Sequence, residues 1–274
     1  MKKLTKLAIA VALAACTLPQ EAFAAKKLHA YEDVKIGIAG FTYRKFTIDQ
    51  ALEMIQSLDV KYMSVKDFHL PLNATKEEME AFKAKCAEHD VTPYILGPIY
   101  MRSQEDVNRA FDYAARYGAE MFMGVPNYEL LDYVIEKVKT TGIKLAIHTH
   151  GPDKAAFPDV RKVVEMVKDP KIGIGVCMDL GHSFRFGKNP AKDIVKYKDW
   201  IYDIHIKDET APSKSGKTWE MGRGQMDIPA IIKALKKIKY DGVISLEMEK
   251  NSNTNPQLSV AESIGYLRGV IDAL

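Results

Sequence analysis

The sequence predicts a single (β/α)8 barrel. Three observations carry this: eight short apolar runs, a helical period in the intervals between them, and no Pro/Gly/Ser-rich linker anywhere in residues 28–274. The runs are Val34–Ala39, Lys61–Val65, Thr92–Leu96, Glu120–Val125, Ile143–Ile147, Ile172–Leu180, Ile201–Ile206 and Val243–Met248. They start roughly every 24 to 30 residues, the rhythm of repeated strand–helix units.

The intervals carry helix signals in turn. Thr47 precedes IDQALEMIQSL as an N-cap, and Thr75 with Glu78 forms a capping box before the helix that contains Met79, Phe82 and Cys86. Ser103 with Asp106 opens QEDVNRAFDYAARY, which Gly118 closes. The last interval is longer than the others. Its excess is the polar segment DETAPSKSGKTWEMGRGQMD after the seventh run, and a loop of that length is usually functional. A doubly wound open sheet shows the same alternation. It is disfavoured because Gly37 and Gly40 after the first run do not form the phosphate-binding GxGxxG turn.

Residues 1–24 have a different character. Lys2, Lys3 and Lys6 precede the apolar run from Leu7 to Ala15, which falls short of the roughly 20 residues needed to span a bilayer. This is the pattern of a secretory signal, which implies export to the periplasm or cell envelope of a bacterium. Ala22-Phe23-Ala24 offers a signal-peptidase site that would leave Ala25 as the first residue. Leu13-Ala14-Ala15-Cys16 offers a lipobox that would leave Cys16 lipidated, the one route to a membrane anchor. The polar stretch from Pro19 to Ala24 favours the first. In the barrel itself, Cys86 and Cys177 are too few for a disulfide framework and read as small core residues.

The 274 residues carry 39 basic and 36 acidic side chains, a net charge of +3. That near balance argues neither for nucleic acid nor for a polyanionic partner.

Buried parallel strands should be apolar throughout, yet four runs break the rule in the same way. Leu145 and Ile147 alternate with Ala146, His148 and His150. Val176, Met178 and Leu180 alternate with Cys177 and Asp179. Ile204 and Ile206 alternate with Asp203, His205 and Lys207. Ile244, Leu246 and Met248 alternate with Ser245, Glu247 and Glu249. With a period of two, the apolar parity faces the helices and the polar parity faces the barrel axis, near the C-terminal strand ends where barrel active sites sit. A lone Asp such as Asp179 is as often a helix cap, a lone His as often a satisfied core group, and Glu249 could be a rim charge. The joint arrangement on four adjacent strands is what argues for a site. Imidazoles and carboxylates clustered there are costly to bury unless they pair or bind a cation, and the mixed set suits Mn²⁺, Co²⁺, Zn²⁺ or Fe²⁺.

The segments AIHTHG (146–151), CMDLGH (177–182), DIHIKD (203–208), GRGQMDIPAI (222–231) and SLEME (245–249) resemble the xylose isomerase-like barrels of sugar isomerases and epimerases. The resemblance spans roughly residues 34–274 and is more specific in its second half. It implies one divalent metal ion, with Mn²⁺ or Co²⁺ first and Zn²⁺, Fe²⁺ or Mg²⁺ as alternatives, held by His148, Asp179, His205 and Glu247. His148 stands where most relatives have a glutamate. In epimerases of the family the two ligand glutamates serve as acid and base, and here Glu247 alone remains of that pair. Histidines at this position also occur in inosose dehydratase-like relatives.

The resemblance thus implies an isomerase or epimerase that abstracts a proton beside the carbonyl of a sugar, with Glu247 as base and His182 as proton shuttle. Lys207, Arg223, His69 and His150 are the candidates for binding substrate. An exported member is expected to act on a free or oxidised sugar or a glycoside rather than a sugar phosphate. Three alternatives stand beside this: β-elimination from a keto-sugar or 3-keto-glycoside, a non-catalytic carbohydrate-binding barrel, and an abasic-site endonuclease. The last requires more metal ligands and a basic DNA face, which the charge balance does not support.

Overall fold

The computed structural model describes residues 29–154, 156–250 and 255–274. The expected leader, with Cys16 and both cleavage sites, lies outside the described residues. Eight parallel strands close a barrel: β1 (Ile36–Ile38), β2 (Tyr62–Val65), β3 (Thr92–Met101), β4 (Met121–Pro126), β5 (Lys144–His148), β6 (Ile174–Asp179), β7 (Ile201–Ile206) and β10 (Ile244–Leu246). The order around it is β1-β10-β7-β6-β5-β4-β3-β2, so β1 pairs with both β2 and β10 and no edge is left open.

Helices cover the outside: α1 (Ile48–Gln56), α2 (Lys76–Glu88), α3 (Gln104–Tyr117), α4 (Leu131–Thr141), α5 (Val160–Val167), α6 (Leu180–Arg185), α7 (Pro190–Lys196), α8 (Ile228–Ile238) and α9 (Gln257–Asp272). The caps read from the sequence are formed. Thr47 with Gln50 and Thr75 with Glu78 make reciprocal capping boxes, Ser103 accepts from the Asp106 amide, and Gly118 ends α3 in the left-handed region.

The parity argument holds in three dimensions. Val176, Met178, Ile204, Ile206, Ile244 and Leu246 belong to the large apolar core shared with the helices. Ile95, Met123, Ala146 and Cys177 form a separate small cluster that belongs to the opposite, inward parity. Inward-facing Asp203 completes that layer as a satisfied polar plug: the Tyr94 hydroxyl lies 3.1 Å from its carboxylate and 2.7 Å from Ser245 Oγ, and the Cys177 thiol donates to it at 3.3 Å. The barrel is therefore floored by side chains below its mouth, as a packed barrel of this width should be.

Two features differ from the sequence expectation. Strand β3 continues to Met101 beyond Leu96, through Gly97 and Pro98, with a register irregularity against β4 between Leu96 and Ile99. The irregularity accommodates the Gly-Pro pair within the strand. The long loop after β7 also has structure of its own. It opens as an antiparallel hairpin, β8 (Asp208–Glu209) with β9 (Thr218–Trp219).

Buried Asp208 then organises the rest of that loop: its carboxylate accepts from the amides of Glu209, Gly222, Gly224 and Met226 at 2.8–3.1 Å. The Gly-x-Gly of GRGQMD serves this close wrap, because a Cβ on Gly224 would collide with the Asp208 carboxylate.

The hairpin buries Glu209 completely, with the Thr218 hydroxyl donating to it at 3.1 Å and Arg185 Nε 3.9 Å away. Burial pushes its carboxyl up from 4.5 to about 7, against the opposing pull of Lys207. The folded state thus holds this proton more tightly than the unfolded chain. The associated stability is fully present below about pH 4.5 and is lost as pH rises to about 7. Glu209→Gln is neutral at every pH and removes that slope. Denaturant unfolding at pH 5 and pH 8 should show wild type losing about 2–3 kcal/mol relative to the variant between the two. Equal losses in both proteins would refute this account.

Candidate metal centre and barrel mouth

Four side chains from four adjacent strands meet at the C-terminal mouth. His148 ends β5, Asp179 ends β6, His205 lies near the end of β7, and Glu247 follows β10. The strand registers set Asp179 level with His205, while His148 is level with Cys177 and Glu247 lies two residues beyond Ser245, the partner of His205. One donor atom from each lies within 4.8 Å of every other. His148 Nε2 is 3.1 Å from His205 Nδ1 and 3.8 Å from Asp179 Oδ2, and His205 Nδ1 is 3.7 Å from Glu247 Oε2. All four residues are buried.

Asp179 does both jobs that its position allows. Its Oδ1 accepts from the His182 amide at 2.8 Å and caps α6, while Oδ2 stays buried without a hydrogen bond of good geometry. A buried oxygen left in that state requires a cation or a donor. Lys207 answers in part. Its fully buried ammonium lies 2.9 Å from Asp179 Oδ2, 2.6 Å from Glu247 Oε2 and 2.5 Å from Glu249 Oε2.

The electrostatics follow from this crowding. Burial, then the neighbouring His150 and His205, push His148 well below its ordinary value, so its imidazole is neutral with a free lone pair. Burial would lower His205 too, but Glu247 beside it, helped by Asp203 and Asp179, raises it. Burial would raise Glu247, and Lys207 with His205 more than offset this and hold it well below the usual carboxylate range. Asp179 goes the other way, raised by burial to about 7 despite Lys207.

The donor set fits a divalent ion. Ligand atoms about 2.0–2.3 Å from such an ion stand roughly 3–4.6 Å from one another, and the observed spacings lie close to that range.

Two of the four, His148 and Glu247, line a cavity of about 310 Å³ whose wall also includes Tyr100, His150, Lys154, His182 and Glu249. His182 Nε2 is 3.8 Å from Glu249 Oε2 and 3.9 Å from Asp179 Oδ2, and its Nδ1 is 3.6 Å from Asp153. His150 Nε2 is 2.9 Å from the Tyr100 hydroxyl, to which Lys154 donates at 2.5 Å. Gly151 permits this proximity. It sits at φ +56°, and a Cβ there would strike the His182 carbonyl, so the loop after β5 lies directly on α6.

Of the four substrate-binding candidates, only His150 lines this cavity. Arg223 is on the exposed surface, paired bidentately with Glu262, because the Gly-x-Gly that flanks it wraps Asp208 and leaves the arginine outside. His69 has Nε2 3.3 Å from the Phe46 carbonyl and packs edge-on against Phe68, and it is Lys66 that reaches the cavity wall. Lys207 reaches the right place, but its ammonium is engaged by three carboxylates and it acts as their counter-charge. Glu249, readable as a rim charge, turns inward onto Lys207. Tyr100 has no signal in the sequence, because the strand that carries it runs past an apparent breaker.

A model of the xylose isomerase-like TIM barrel family matches residues 52–270. The fold superposes on a D-tagatose 3-epimerase-like protein with TM-score 0.69, 17% identity and coverage of 88% of this chain and 98% of that one. It superposes on a D-psicose 3-epimerase from Clostridium cellulolyticum H10, solved with D-tagatose, with TM-score 0.68 and 14% identity over 87% of this chain and 100% of the other. An uncharacterized protein of Parabacteroides distasonis ATCC 8503 gives TM-score 0.65 and 24% identity over 86% and 99%. In sequence, the chain is 28% identical over 131 residues to an uncharacterized protein of Methanocaldococcus jannaschii, covering 44% of this chain and 42% of that relative's length. At these identities the structural likeness speaks to the fold.

Proposed function

The chain belongs to the xylose isomerase-like TIM barrel family, and on that premise we propose that it is a metal-dependent sugar isomerase or epimerase acting on a non-phosphorylated sugar. The observation that carries the reading is the convergence of His148, Asp179, His205 and Glu247 beside a cavity large enough for a sugar. A divalent ion held by those four would supply Lewis-acid polarisation of a substrate carbonyl.

The chain's own groups do the rest. Glu247 accepts the proton on the carbon beside the carbonyl. His182 and Glu249, 3.8 Å apart and both on the cavity wall, form the pair that carries a proton to or from a sugar hydroxyl. His150, oriented by the Tyr100 hydroxyl, and Lys154 donate hydrogen bonds to substrate oxygens. One observation favours a second outcome. His148 stands where the glutamate usual in the family would be the second of its paired acid and base carboxylates, and without that partner for Glu247 loss of a β-leaving group competes with reprotonation. The same proton abstraction so leads to elimination from a keto-sugar or glycoside.

The test uses protein that begins at Ala25, stripped with chelator and reloaded with Mn²⁺ or Co²⁺. Incubation with free sugars, keto-sugars and glycosides in deuterated water should give metal-dependent label at the α-carbon of at least one substrate. Release of a hydroxyl or glycosidic group assigns elimination, because the α-carbon of that product has given up its hydrogen and keeps no label. Absence of both label and product across the panel overturns the reading.

Export is part of the same proposal, because it removes sugar phosphates from the expected substrates. N-terminal sequencing of protein from the cell envelope should begin at Ala25, or be blocked at Cys16 if lipidated. An intact Met1 recovered from the cytoplasm would refute export.

A further inference from the structure

A second and larger cavity, of about 850 Å³, opens beside the first and shares with it Phe41, Asp153, His182 and Glu249. The smaller cavity already lies at the low end of the roughly 300–1,000 Å³ that ligand sites occupy, so a single sugar has no need of the larger one. The two cavities adjoin, and the converging donors His148 and Glu247 line only the smaller.

Five cationic side chains line the outer part: Arg44, Arg185, Lys214, Lys217 and Lys250. Only two carboxylates, Asp153 and Glu249, share the wall, and both are already matched. Asp153 takes a two-pronged pair from Arg185 at 2.5 and 3.1 Å, and Glu249 takes Lys207 at 2.5 Å. Lys250 is matched by Glu220 at 2.7 Å. Lys214 and Lys217 have no carboxylate within ion-pair distance among the described residues, so the wall carries a surplus of positive charge.

Built structure fixes the backbone that carries these two exposed lysines. The Thr210 amide donates to the Lys217 carbonyl at 3.0 Å, the Lys217 amide to the Thr210 hydroxyl at 3.0 Å, and Arg185 Nη2 to the Lys214 carbonyl at 2.9 Å. The hairpin after β7 is thereby fastened to α6 with its two lysines over the cavity. The same wall includes two aromatic rings, Phe41 and half-exposed Trp219, and each already carries a cation over one face: Arg44 lies 4.6 Å from the Phe41 centroid and Lys250 4.0 Å from that of Trp219.

We propose that this outer cavity is a second sugar subsite that takes a glycosyl unit bearing an anionic group, a carboxylate or a sulfate, so that the substrate is an acidic glycoside of at least two units. The proposal rests on the sugar-directed reading of the inner cavity. It adds that Lys214 and Lys217 select the outer unit by charge.

The experiment is calorimetric titration of the full mature protein with three disaccharides that differ at one position of the non-reacting unit: a uronate, a sulfate ester and the neutral parent. At least one acidic ligand should bind about tenfold more tightly than the neutral parent. That preference should fall to about twofold or less in Lys214→Ala/Lys217→Ala, return in Lys214→Arg/Lys217→Arg, and shrink as salt is raised. The uronate and sulfate arms identify the anion. Equal binding of all three, binding of none, or a preference unchanged in the alanine variant overturns the proposal. Deuterium exchange on the monosaccharides separates the two readings. Exchange without an acidic preference sinks the subsite and leaves the isomerase reading standing. An acidic preference without exchange on any sugar does the reverse.

Discussion

Glu247→Gln is expected to lower the rate of α-proton exchange by about 10²–10⁴-fold, the usual consequence of losing a general base. Glutamine keeps the shape of the side chain and one oxygen for the cluster, but it cannot accept the proton. Weakened metal binding adds to the loss, so the comparison should be made on protein whose metal content has been measured. Lys207, 2.6 Å from Glu247 Oε2, loses its partner there but retains Asp179 and Glu249, so the fold should survive. His148→Glu is expected to be far milder, because it exchanges one donor for another at a position where the family generally has a carboxylate. If metal-loaded Glu247→Gln exchanges the proton at the wild-type rate, the base is elsewhere, and the His182–Glu249 pair is the next place to look.

Lys207→Met should have the largest effect on stability. The lysine is fully buried and is the counter-charge for Asp179, Glu247 and Glu249. Removing it leaves three carboxylates facing one another away from water, and breaking a buried pair in this way costs about 3–5 kcal/mol. For a domain of this size that is a fall in Tm of roughly 6–20 °C in chelator-treated protein. A divalent ion on the same oxygens replaces the missing charge. Saturating Mn²⁺ or Co²⁺ should therefore stabilise the variant more than it stabilises wild type. Thermal unfolding of both proteins with chelator and with metal decides this. An equal Tm gain in the two, or no loss on removing the lysine, would show that the ammonium and the metal do not share a site.

The barrel was legible in the sequence because its determinants are local and periodic. Eight apolar runs at regular intervals, the cap at Thr47, the capping box at Thr75 and the glycine after Tyr117 each report on a few neighbouring residues. The metal-site candidates were legible for the same reason. A strand alternates its faces every residue, so polar residues on one parity of four neighbouring parallel strands, near their C-terminal ends, gather at the mouth.

Tertiary structure decided which of the remaining polar residues belong with them. Arg223 and Lys207 look alike in the sequence, as basic residues near the seventh strand. One is outside because Asp208 draws the glycines on either side of it into a tight wrap. The other is inside because three carboxylates from two different strands surround its ammonium. His69 was set aside by a carbonyl 23 residues away, and Tyr100 was admitted by a bulge that carries β3 past its Gly-Pro pair. The second cavity likewise depends on where the hairpin is fastened, through Arg185 to α6. Periodicity along a chain fixes which face a residue takes. Whether a charged side chain on that face is spent on the protein or left for a ligand depends on partners distant in sequence, and only the closed fold brings those partners together.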